Sequence, residues 1–214
     1  MEISRRGLAA AAALALPGAA GAARAQGVLK PTGQETLGPY YPVRAPTSHD
    51  PDLTRPRGRK GHAQGQIIEI TGRVLDTSGR PLPKAELLIW QANAAGRYTN
   101  PLDKNTAPLD PNFVGVASFG VARDGAFRLR TVKPGAYPEP SGTLRTPHIH
   151  FDVTNAGYRL VTQMYFPGED LNAKDLLLST LASRRRDPNA AICQPATTSE
   201  PGVTAFRWDI VLLT

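Results

Sequence analysis

Short stretches in which apolar and polar residues alternate run through most of the chain after residue 65. Residues 125–131, for example, alternate apolar and basic side chains, as expected for a strand with one face in a core and the other in water. Turn-forming glycine and proline residues separate these stretches, as at residues 77–81. The pattern predicts six strands, at residues 67–76, 85–91, 125–131, 145–153, 158–165 and 205–212.

Helical periodicity is indicated in one place only, the leucine-rich residues 170–186. Many short strands separated by turns predict an all-β fold, a β-sandwich of mostly antiparallel strands. Residues 26–65 are rich in Pro, Gly and Arg and show neither period, which predicts an extended N-terminal arm. Residues 66–214 would then form the β-sandwich domain.

The first 25 residues have the pattern of a twin-arginine export signal. Arg5 and Arg6 precede an alanine-rich apolar run at residues 8–23, and residues 23–25 have the small-x-small form of a signal peptidase site. A membrane anchor is the alternative, but the run is short, weakly apolar and interrupted by proline and glycine. We therefore expect residues 1–25 to be removed and the protein to be periplasmic or secreted, without a membrane association after processing.

Length and charge exclude some classes of protein. The 214 residues suffice for one domain with a sizeable core, and the formal net charge of +7 would fall to +5 on loss of the predicted signal, which holds three arginines and one glutamate. Outside residues 55–60 and 184–186 the basic residues are scattered, with no aromatic residues interleaved. This argues against nucleic-acid binding, although a positive field could attract anionic aromatic acids. Cys193 is the only cysteine, so no internal disulfide can form, and we expect an inert buried thiol rather than an intermolecular bridge.

Two histidines, His148 and His150, stand two positions apart in a predicted strand. Side chains at that spacing lie on one face, roughly 7 Å apart along the strand, so one metal can bridge the two imidazoles. The apolar residues Ile149, Phe151 and Val153 would face the core. The strand is therefore expected to present both imidazoles and Asp152 on its other face, with Asp152 acting either as an ordinary polar strand residue or as a hydrogen-bond acceptor for an imidazole N–H.

Tyr98 and Tyr137 precede the histidine pair and suggest which metal would bind. A three-histidine zinc site is disfavoured, because the other histidines, at positions 49 and 62, lie in the arm. Phenolate is a hard anionic donor that also holds iron in catalase. Two phenolates and a hydroxide neutralise Fe(III), whereas a divalent metal would leave a buried negative charge. The four residues thus predict a non-haem ferric site, since a trivalent cation can ionise a tyrosine whose pKa is near ~10.

At this point the chain resembles the intradiol ring-cleaving dioxygenases, most closely the protocatechuate type. The resemblance covers roughly residues 34–170 and the last predicted strand. It depends on specific segments, residues 89–98, 107–113, 133–138, 145–151 and 162–168.

The resemblance implies the roles of the site residues. Tyr98 would be the retained tyrosinate ligand of Fe(III), Tyr137 the ligand that substrate displaces, and His148 and His150 the two imidazole ligands. It also implies that Arg145 and Gln163 line the substrate pocket, with Arg145 stabilising negative charge on the ring, and, more weakly, that Pro39 and Tyr40 form the pocket edge. A catechol would bind as a dianion and react with O₂ to give a muconate-type diacid.

The resemblance further implies an oligomer, either of identical subunits or with a related subunit. One departure concerns the substrate. Glu139 stands where protocatechuate members carry a bulky aromatic residue, and if it faces the pocket it would repel a substrate carboxylate.

Two other functions remain compatible with the sequence. Residues 72–83, 124–127 and 133–137 also match the pattern of transthyretin-like β-sandwich modules, which bind without a metal. The second possible function is that of a dioxygenase-like protein that has lost its catalytic activity. The joint presence of two tyrosines, two histidines and Arg145 favours the enzyme, because a binding module has no reason to hold this set.

Overall fold

The computed structural model describes residues 28–46, 48–183 and 187–214. The predicted export signal at residues 1–25 and the basic residues 184–186 lie outside the described residues. Within the described part of the chain, no helix has the length and apolar character needed to cross a membrane.

Two β-sheets pack face to face, as the alternating pattern predicts. The first sheet is built around β1 (Ile67–Asp76), which pairs with the antiparallel β4 (Ala126–Val132) on one side. On its other side β1 pairs in parallel with β10 (Thr204–Arg207) and β11 (Ile210–Leu212), and β9 (Gln194–Ala196) extends the sheet beyond β10. The mostly antiparallel β-sandwich predicted from sequence is confirmed.

The second sheet is antiparallel throughout. Its strands, in the order in which they lie side by side, are β3 (Val116–Gly120), β2 (Glu86–Trp90), β7 (His148–Asn155) and β8 (Tyr158–Tyr165). A small hairpin of β5 (Tyr137–Pro138) and β6 (Leu144–Arg145) stands beside it. Helix α1 (Leu176–Ser183) follows a 3₁₀ turn at Asp170–Lys174, and a second 3₁₀ turn lies at Pro188–Ala191.

The core lies between the sheets and takes one face of each. From β7 it takes Ile149, Phe151 and Val153, which confirms the predicted alternation of that strand. Cys193 is fully buried in the same core, and burial raises the pKa of its thiol to about 12, as expected for an inert cysteine.

The outer face of the second sheet is also covered rather than exposed to water. The N-terminal arm, the β5–β6 hairpin, helix α1 and the loop after β2 lie over it, so a second apolar cluster forms there around Trp90, Tyr98 and Tyr137. The arm is fastened by backbone hydrogen bonds from Thr32 N to Val211 O and from Glu35 N to Val161 O. This covered outer face is where the candidate site lies.

Several elements differ from the sequence prediction. The predicted strand 205–212 is interrupted at Trp208 and Asp209, because the Asp209 carboxylate accepts a hydrogen bond from Arg73 N and takes the place of a strand partner. Strands β3, β5, β6 and β9 were not predicted, since each has only two to five residues. The predicted strand 145–153 begins at His148, and Arg145 belongs to β6 instead. The helical indication at 170–186 corresponds to a 3₁₀ turn and a two-turn helix, which Asp175 separates.

Candidate metal centre

Strand β7 places His148 and His150 side by side on the outer face of the second sheet. Their Nε2 atoms are 3.1 Å apart. Nδ1 of His148 lies 2.7 Å from the carbonyl oxygen of Thr146, which can only accept, so the proton of the neutral ring is on Nδ1 and the lone pair is on Nε2. His150 stacks on Trp90, its partner in the β2–β7 register, with 4.6 Å between ring centroids and 8° between ring planes. His148 is thus oriented by the segment just before β7, and His150 by a neighbouring strand of its sheet.

The loop after β2 carries Tyr98 and is held by polar side chains. The Asn93 side-chain oxygen accepts from the backbone N–H groups of Ala95 and Arg97, and Asp103 accepts from the N–H of Tyr98 at 2.7 Å. Gly96 has φ +77°, and a Cβ there would lie 2.1 Å from the carbonyl oxygen of Ala136. Only glycine therefore lets this loop press against the segment that carries the second tyrosine.

The β5–β6 hairpin carries Tyr137. Its hydroxyl is 3.4 Å from Nε2 of His148, and its ring is 5.0 Å from that of Tyr98 in an edge-on arrangement. The Tyr98 ring lies 6.3 Å from the His150 ring. The structure thus brings the two tyrosines and two histidines into one cluster, in which none of the four is more than 3 % exposed.

Burial determines the protonation of this cluster in the protein alone. It lowers the pKa values of His148 and His150 well below the usual range, with repulsion from Arg145 and, for His150, first from His148 adding to the effect. It raises the pKa of Tyr137 to about 12, although Arg145 opposes the change. For Tyr98 burial, followed by repulsion from Tyr137, raises the pKa well above its usual value. The imidazoles are therefore neutral and able to donate lone pairs, while the phenols would ionise only beside a cation.

Two polar atoms of the cluster lack hydrogen bonds. Among the described residues, the Tyr98 hydroxyl and Nδ1 of His150 have no hydrogen-bond partner, although both are buried. An unsatisfied buried group costs about 1–3 kcal/mol, so its presence calls for an explanation. A ligand bound by the Tyr98 hydroxyl would explain why this buried group has no hydrogen-bond partner among the described residues.

No conventional metal cluster competes with this one. Across the described ranges, no group of three or more His, Cys, Asp or Glu side chains could hold a metal ion. Any site built from His148 and His150 would therefore need the tyrosines.

Arg145 stands next to the cluster in a buried polar network. It faces Tyr137 across the hairpin and is 2 % exposed. It donates from Nε to Asp175 at 2.7 Å and from Nη2 to the side-chain oxygen Oε1 of Gln163 at 2.7 Å. Burial alone would lower its pKa, but Tyr165, Tyr137 and Asp175 hold the pKa above its usual value, so the guanidinium stays charged. Nε2 of Gln163 has no partner within the described part of the chain.

The network continues into the N-terminal arm. The hydroxyl of Tyr165 donates to Glu35 at 2.7 Å, and Glu35 also accepts from the backbone N–H of Gln163. Sequence reasoning missed Glu35, Tyr165 and Asp175. For Tyr165 there was a signal, because it is two positions after Gln163 and shares its strand face.

The tip of the arm covers the cluster. Tyr40 is buried, with its ring centroid 4.7 Å from that of Tyr98 and 5.8 Å from that of Tyr137. Pro39 is exposed, whereas Gly38 lies against His150, so close that a Cβ on it would be 3.3 Å from the imidazole Cε1. Of the predicted edge residues, Tyr40 reaches the site, and Gly38 is an additional neighbour that the sequence did not indicate.

Asp152 does not act as an acceptor for an imidazole. Its carboxylate instead accepts two hydrogen bonds from Arg159, at 2.9 and 2.7 Å, and one from the hydroxyl of Tyr41. Of the two roles expected for Asp152, the structure favours the ordinary polar strand residue, because Arg159, a diagonal neighbour on β8, pairs with its carboxylate.

Comparisons with known proteins agree with this picture. A family model described as dioxygenase matches residues 36–214. The protocatechuate 3,4-dioxygenase beta chain of Burkholderia cepacia is 41 % identical over 184 residues, covering 84 % of this chain and 74 % of the relative. The alpha chain of the same enzyme from Pseudomonas putida is 30 % identical over 194 residues, covering 86 % of this chain and 92 % of the relative.

A solved structure has the same architecture. The dioxygenase domain of a dioxygenase and carbohydrate-binding fusion protein from Streptomyces sp. SirexAA-E is similar with a TM-score of 0.65 and 27 % identity, over 86 % of this chain and 99 % of that domain. These likenesses favour an enzyme over a transthyretin-like binding module.

Proposed function

Because the chain belongs to the intradiol ring-cleavage dioxygenases, we propose that its cluster of two tyrosines and two histidines holds a non-haem Fe(III) and that the protein cleaves a catechol. The products would be muconate-type diacids, formed by breaking the bond between the two hydroxyl-bearing carbons. Both oxygen atoms of O₂ enter the product, so the reaction needs no external reductant. The observation that carries the proposal is the convergence of Tyr98, Tyr137, His148 and His150 on one buried point.

The donor set fits ferric iron. Nε2 of His148 offers a lone pair, because its other ring nitrogen donates to Thr146, and the Tyr98 hydroxyl has no partner among the described residues. Two phenolates supply the hard anionic donors that a trivalent ion prefers and reduce its charge in a buried site. When bound, the ferric ion would supply Lewis acidity that holds the substrate as a catecholate and activates the ring towards O₂.

Tyr137 is suited to act as a proton acceptor. Its pKa of about 12 in the protein alone means that a Tyr137 phenolate, once released by an incoming catechol, would take up a substrate proton on its Oη. Tyr137 lies at the hairpin and contacts Tyr40 of the arm, whereas Tyr98 is held by the loop after β2. We therefore assign Tyr137 as the displaceable residue and Tyr98 as the retained one.

Arg145 and Gln163 would bind and orient the substrate. The charged guanidinium is fixed in place by Asp175 and Gln163, so it can stabilise negative charge on the ring without reorganising. The Nε2 group of Gln163, which has no partner in the described ranges, is available to donate to the substrate or to O₂. Burial of the whole cluster keeps water away from the reacting carbon atoms.

The first test is optical. Protein loaded with iron should be red-brown, because phenolate-to-Fe(III) charge transfer absorbs visible light, and Tyr98→Phe should weaken or shift that band. Tyr158→Phe is the matched control, since Tyr158 is an exposed tyrosine of β8, and its spectrum should equal that of the parent protein. A colourless iron-replete protein would contradict the proposal, and unchanged absorption in Tyr98→Phe would remove Tyr98 from the ligand set.

The second test is turnover. Oxygen uptake across a panel of catechols, with identification of the diacid, separates an active enzyme from a dioxygenase-like protein that has lost activity. One O₂ consumed per catechol is expected.

We also propose that the protein assembles with identical or related subunits. Support comes from the two similar relatives, which are named as beta and alpha chains of one enzyme. Mass measurement of the native protein, alone and after coexpression with a related chain, tests this.

Export is a further proposal, and it stands on Arg5, Arg6 and the apolar run that follows. A twin-arginine route carries folded proteins, so iron acquired in the cytoplasm would travel with the protein. Fractionation of cells that express the parent protein and a variant with both arginines changed to lysine tests the route, and equal export of the two would contradict it.

A further inference from the structure

Glu139 lies on the same side of the β5–β6 hairpin as two site residues. Tyr137 and Arg145 face each other in the register of the hairpin, so their side chains share one face. Glu139 comes two residues after Tyr137, and its backbone N–H donates to the carbonyl of Thr143, which continues the pairing towards the turn. A spacing of two keeps a side chain on the same face, so Glu139 projects beside Tyr137, one step nearer to the turn.

Two observations locate the Glu139 carboxylate at the outer end of the site. It is 3.2 Å from Nη1 of Arg145, and its side chain is 25 % exposed, whereas Tyr137 and Arg145 are 2 % exposed. Glu139 therefore stands between the buried cluster and solvent.

Arg145 already pairs with two carboxylates through Nε and Nη1, so it has no unpaired charge left for a carboxylate on the substrate, although its guanidinium can still stabilise negative charge that develops on the ring. Asp175 already neutralises the guanidinium, at 2.7 Å and with no exposure of its side chain. Glu139 is a second carboxylate on the same guanidinium, and this group of three carries a net negative charge. A ring whose two oxygen atoms lie at the tyrosine and histidine end would point its opposite edge outward, towards this excess negative charge.

A carboxylate on that edge would be unfavourable for two reasons. It would compete with Glu139 for Nη1 of Arg145, and it would face a like charge in a partly desolvated place, where repulsion is weakly screened. Alkyl or hydroxyl substituents meet neither difficulty, and an ammonium group would be attracted.

The geometry points to Glu139 as a specificity residue that selects catechols with an uncharged or cationic ring substituent and rejects catechol carboxylates. This inference rests on the proposed function, because it assumes that the catechol oxygens occupy the tyrosine and histidine cluster. It gives the site a substrate class that differs from the carboxylated catechol named for the similar relatives.

Steady-state kinetics on the iron-loaded protein test the inference with matched pairs of substrates. The pairs are 4-methylcatechol against protocatechuate, and dopamine against 3,4-dihydroxyphenylacetate. In each pair we expect the carboxylate to have a kcat/KM at least tenfold lower, which corresponds to about 1.4 kcal/mol. In Glu139→Gln, an uncharged substitution of the same shape, this ratio should move at least tenfold in favour of the carboxylate.

Two further variants keep the result interpretable. Glu139→Ala should move the ratio in the same direction, which guards against a local effect of the glutamine. Glu200→Gln is the matched control, because Glu200 also pairs with an arginine, Arg130, but at the surface of the first sheet. Its substrate ratio should equal that of the parent protein.

A binding measurement separates the inference from the proposed function. Calorimetry with the unreactive 4-methylphenol and 4-hydroxybenzoate should show at least tenfold weaker binding of the carboxylate, and Glu139→Gln should reduce that difference. If the parent protein prefers protocatechuate, or if the ratio does not move in either Glu139 variant, the inference is overturned while the proposed function stands. If no catechol is turned over but the carboxylate still binds more weakly in the parent than in Glu139→Gln, the proposed function fails and the charge selection is supported.

Discussion

At the scale of single residues, the geometry of the candidate site depends on two glycines that let neighbouring segments of the chain approach each other closely. Gly96 allows two tyrosine-bearing segments to touch, and Gly38 lets the tip of the arm lie on His150. Both glycines have positive φ, a conformation in which a side chain costs about 1–2 kcal/mol. These two glycines allow the segments that carry Tyr98 and Tyr137, and the arm and His150, to pack against each other.

Substitution of Gly38 should therefore affect the site more than it affects stability. In Gly38→Ala the new methyl group would be 3.3 Å from His150 Cε1, so the imidazole has to shift by a few tenths of an ångström. We expect a changed visible band in the iron-loaded protein and a kcat/KM lowered about tenfold, a size typical of a small displacement near the reacting atoms.

Gly168→Ala is the matched control for this substitution. Gly168 also has a positive φ, +75°, but a Cβ there meets nothing within 4 Å. Both variants should lose a similar 1–2 kcal/mol of unfolding free energy, which chemical denaturation measures. If the spectra and kcat/KM of the two variants changed alike, the contact of Gly38 with His150 would not matter.

At the scale of elements, Asp175 joins helix α1 to the candidate site. Its Oδ1 accepts from the N–H groups of Leu177 and Leu178 and so caps the helix, while its Oδ2 accepts from Arg145 and from the N–H of Thr146. One carboxylate thus fixes both the start of a helix and the direction of the guanidinium.

Removal of this carboxylate should be strongly destabilising. Asp175→Ala leaves a buried Arg145 without its closest counter-charge and removes the helix cap, so we expect a loss of about 3–5 kcal/mol in the free energy of unfolding. Asp124→Ala, which removes an exposed partner of Arg73, should cost less than about 1 kcal/mol. Urea denaturation of both variants checks the difference, and equal losses would show that the burial of the Arg145 pair has no energetic consequence.

The alternation of apolar and polar residues predicts most of the strands, but it does not predict the hydrogen bonds between residues that are far apart in the sequence. The alternation of β7 gave both the strand and its two faces, because a period of two is a property of neighbouring residues. The interruption at Asp209 was not predictable, since it depends on a hydrogen bond to Arg73, 136 residues away. The sequence does not reveal Glu35 for the same reason, since its partner Tyr165 is 130 residues away. It does not reveal Asp175 either, which lies inside the predicted helical residues 170–186 and whose partner Arg145 is 30 residues away.

The tyrosine and histidine cluster was predicted from residue chemistry and family resemblance together. The histidine spacing alone indicates two imidazoles on one face, but nothing local connects Tyr98 with Tyr137. Their contact is produced by Gly96 and by the hairpin register, which are features of the folded chain.

At the scale of the whole molecule, the arm introduces a titratable group into the sandwich. Burial raises the pKa of Glu35 from 4.5 to about 7, although Tyr165 and the backbone N–H of Gln163 oppose the change, as does Arg145. Asp175 acts in the same direction as burial. The folded protein therefore holds this proton to a higher pH than the unfolded chain does.

The free energy of unfolding should consequently depend on pH between the ordinary pKa of 4.5 and the raised pKa of about 7 of Glu35. The contribution of Glu35 is complete below pH 4.5 and is lost as the pH rises to about 7, because the folded state binds the proton more tightly. At about 1.4 kcal/mol per pKa unit, and reduced because the residue is only partly buried, the change should be about 2 kcal/mol. Unfolding free energies at pH 5 and pH 7.5 should therefore differ less in Glu35→Gln than in the parent protein, and parallel pH curves for the two would contradict this origin.

The fastening of the arm also sets an order of events during biosynthesis. Thr32 is held through its N–H and its hydroxyl by Val211, which the ribosome adds 179 residues later. While the intervening chain is being made, the arm can be held only by earlier partners such as Thr77 and Val161, and β1 lacks its parallel neighbours. Such distant pairings form slowly. The arm is therefore fully fastened only when translation has nearly ended, and we expect a metal ion to reach the histidines more readily in the nascent chain than in the finished protein.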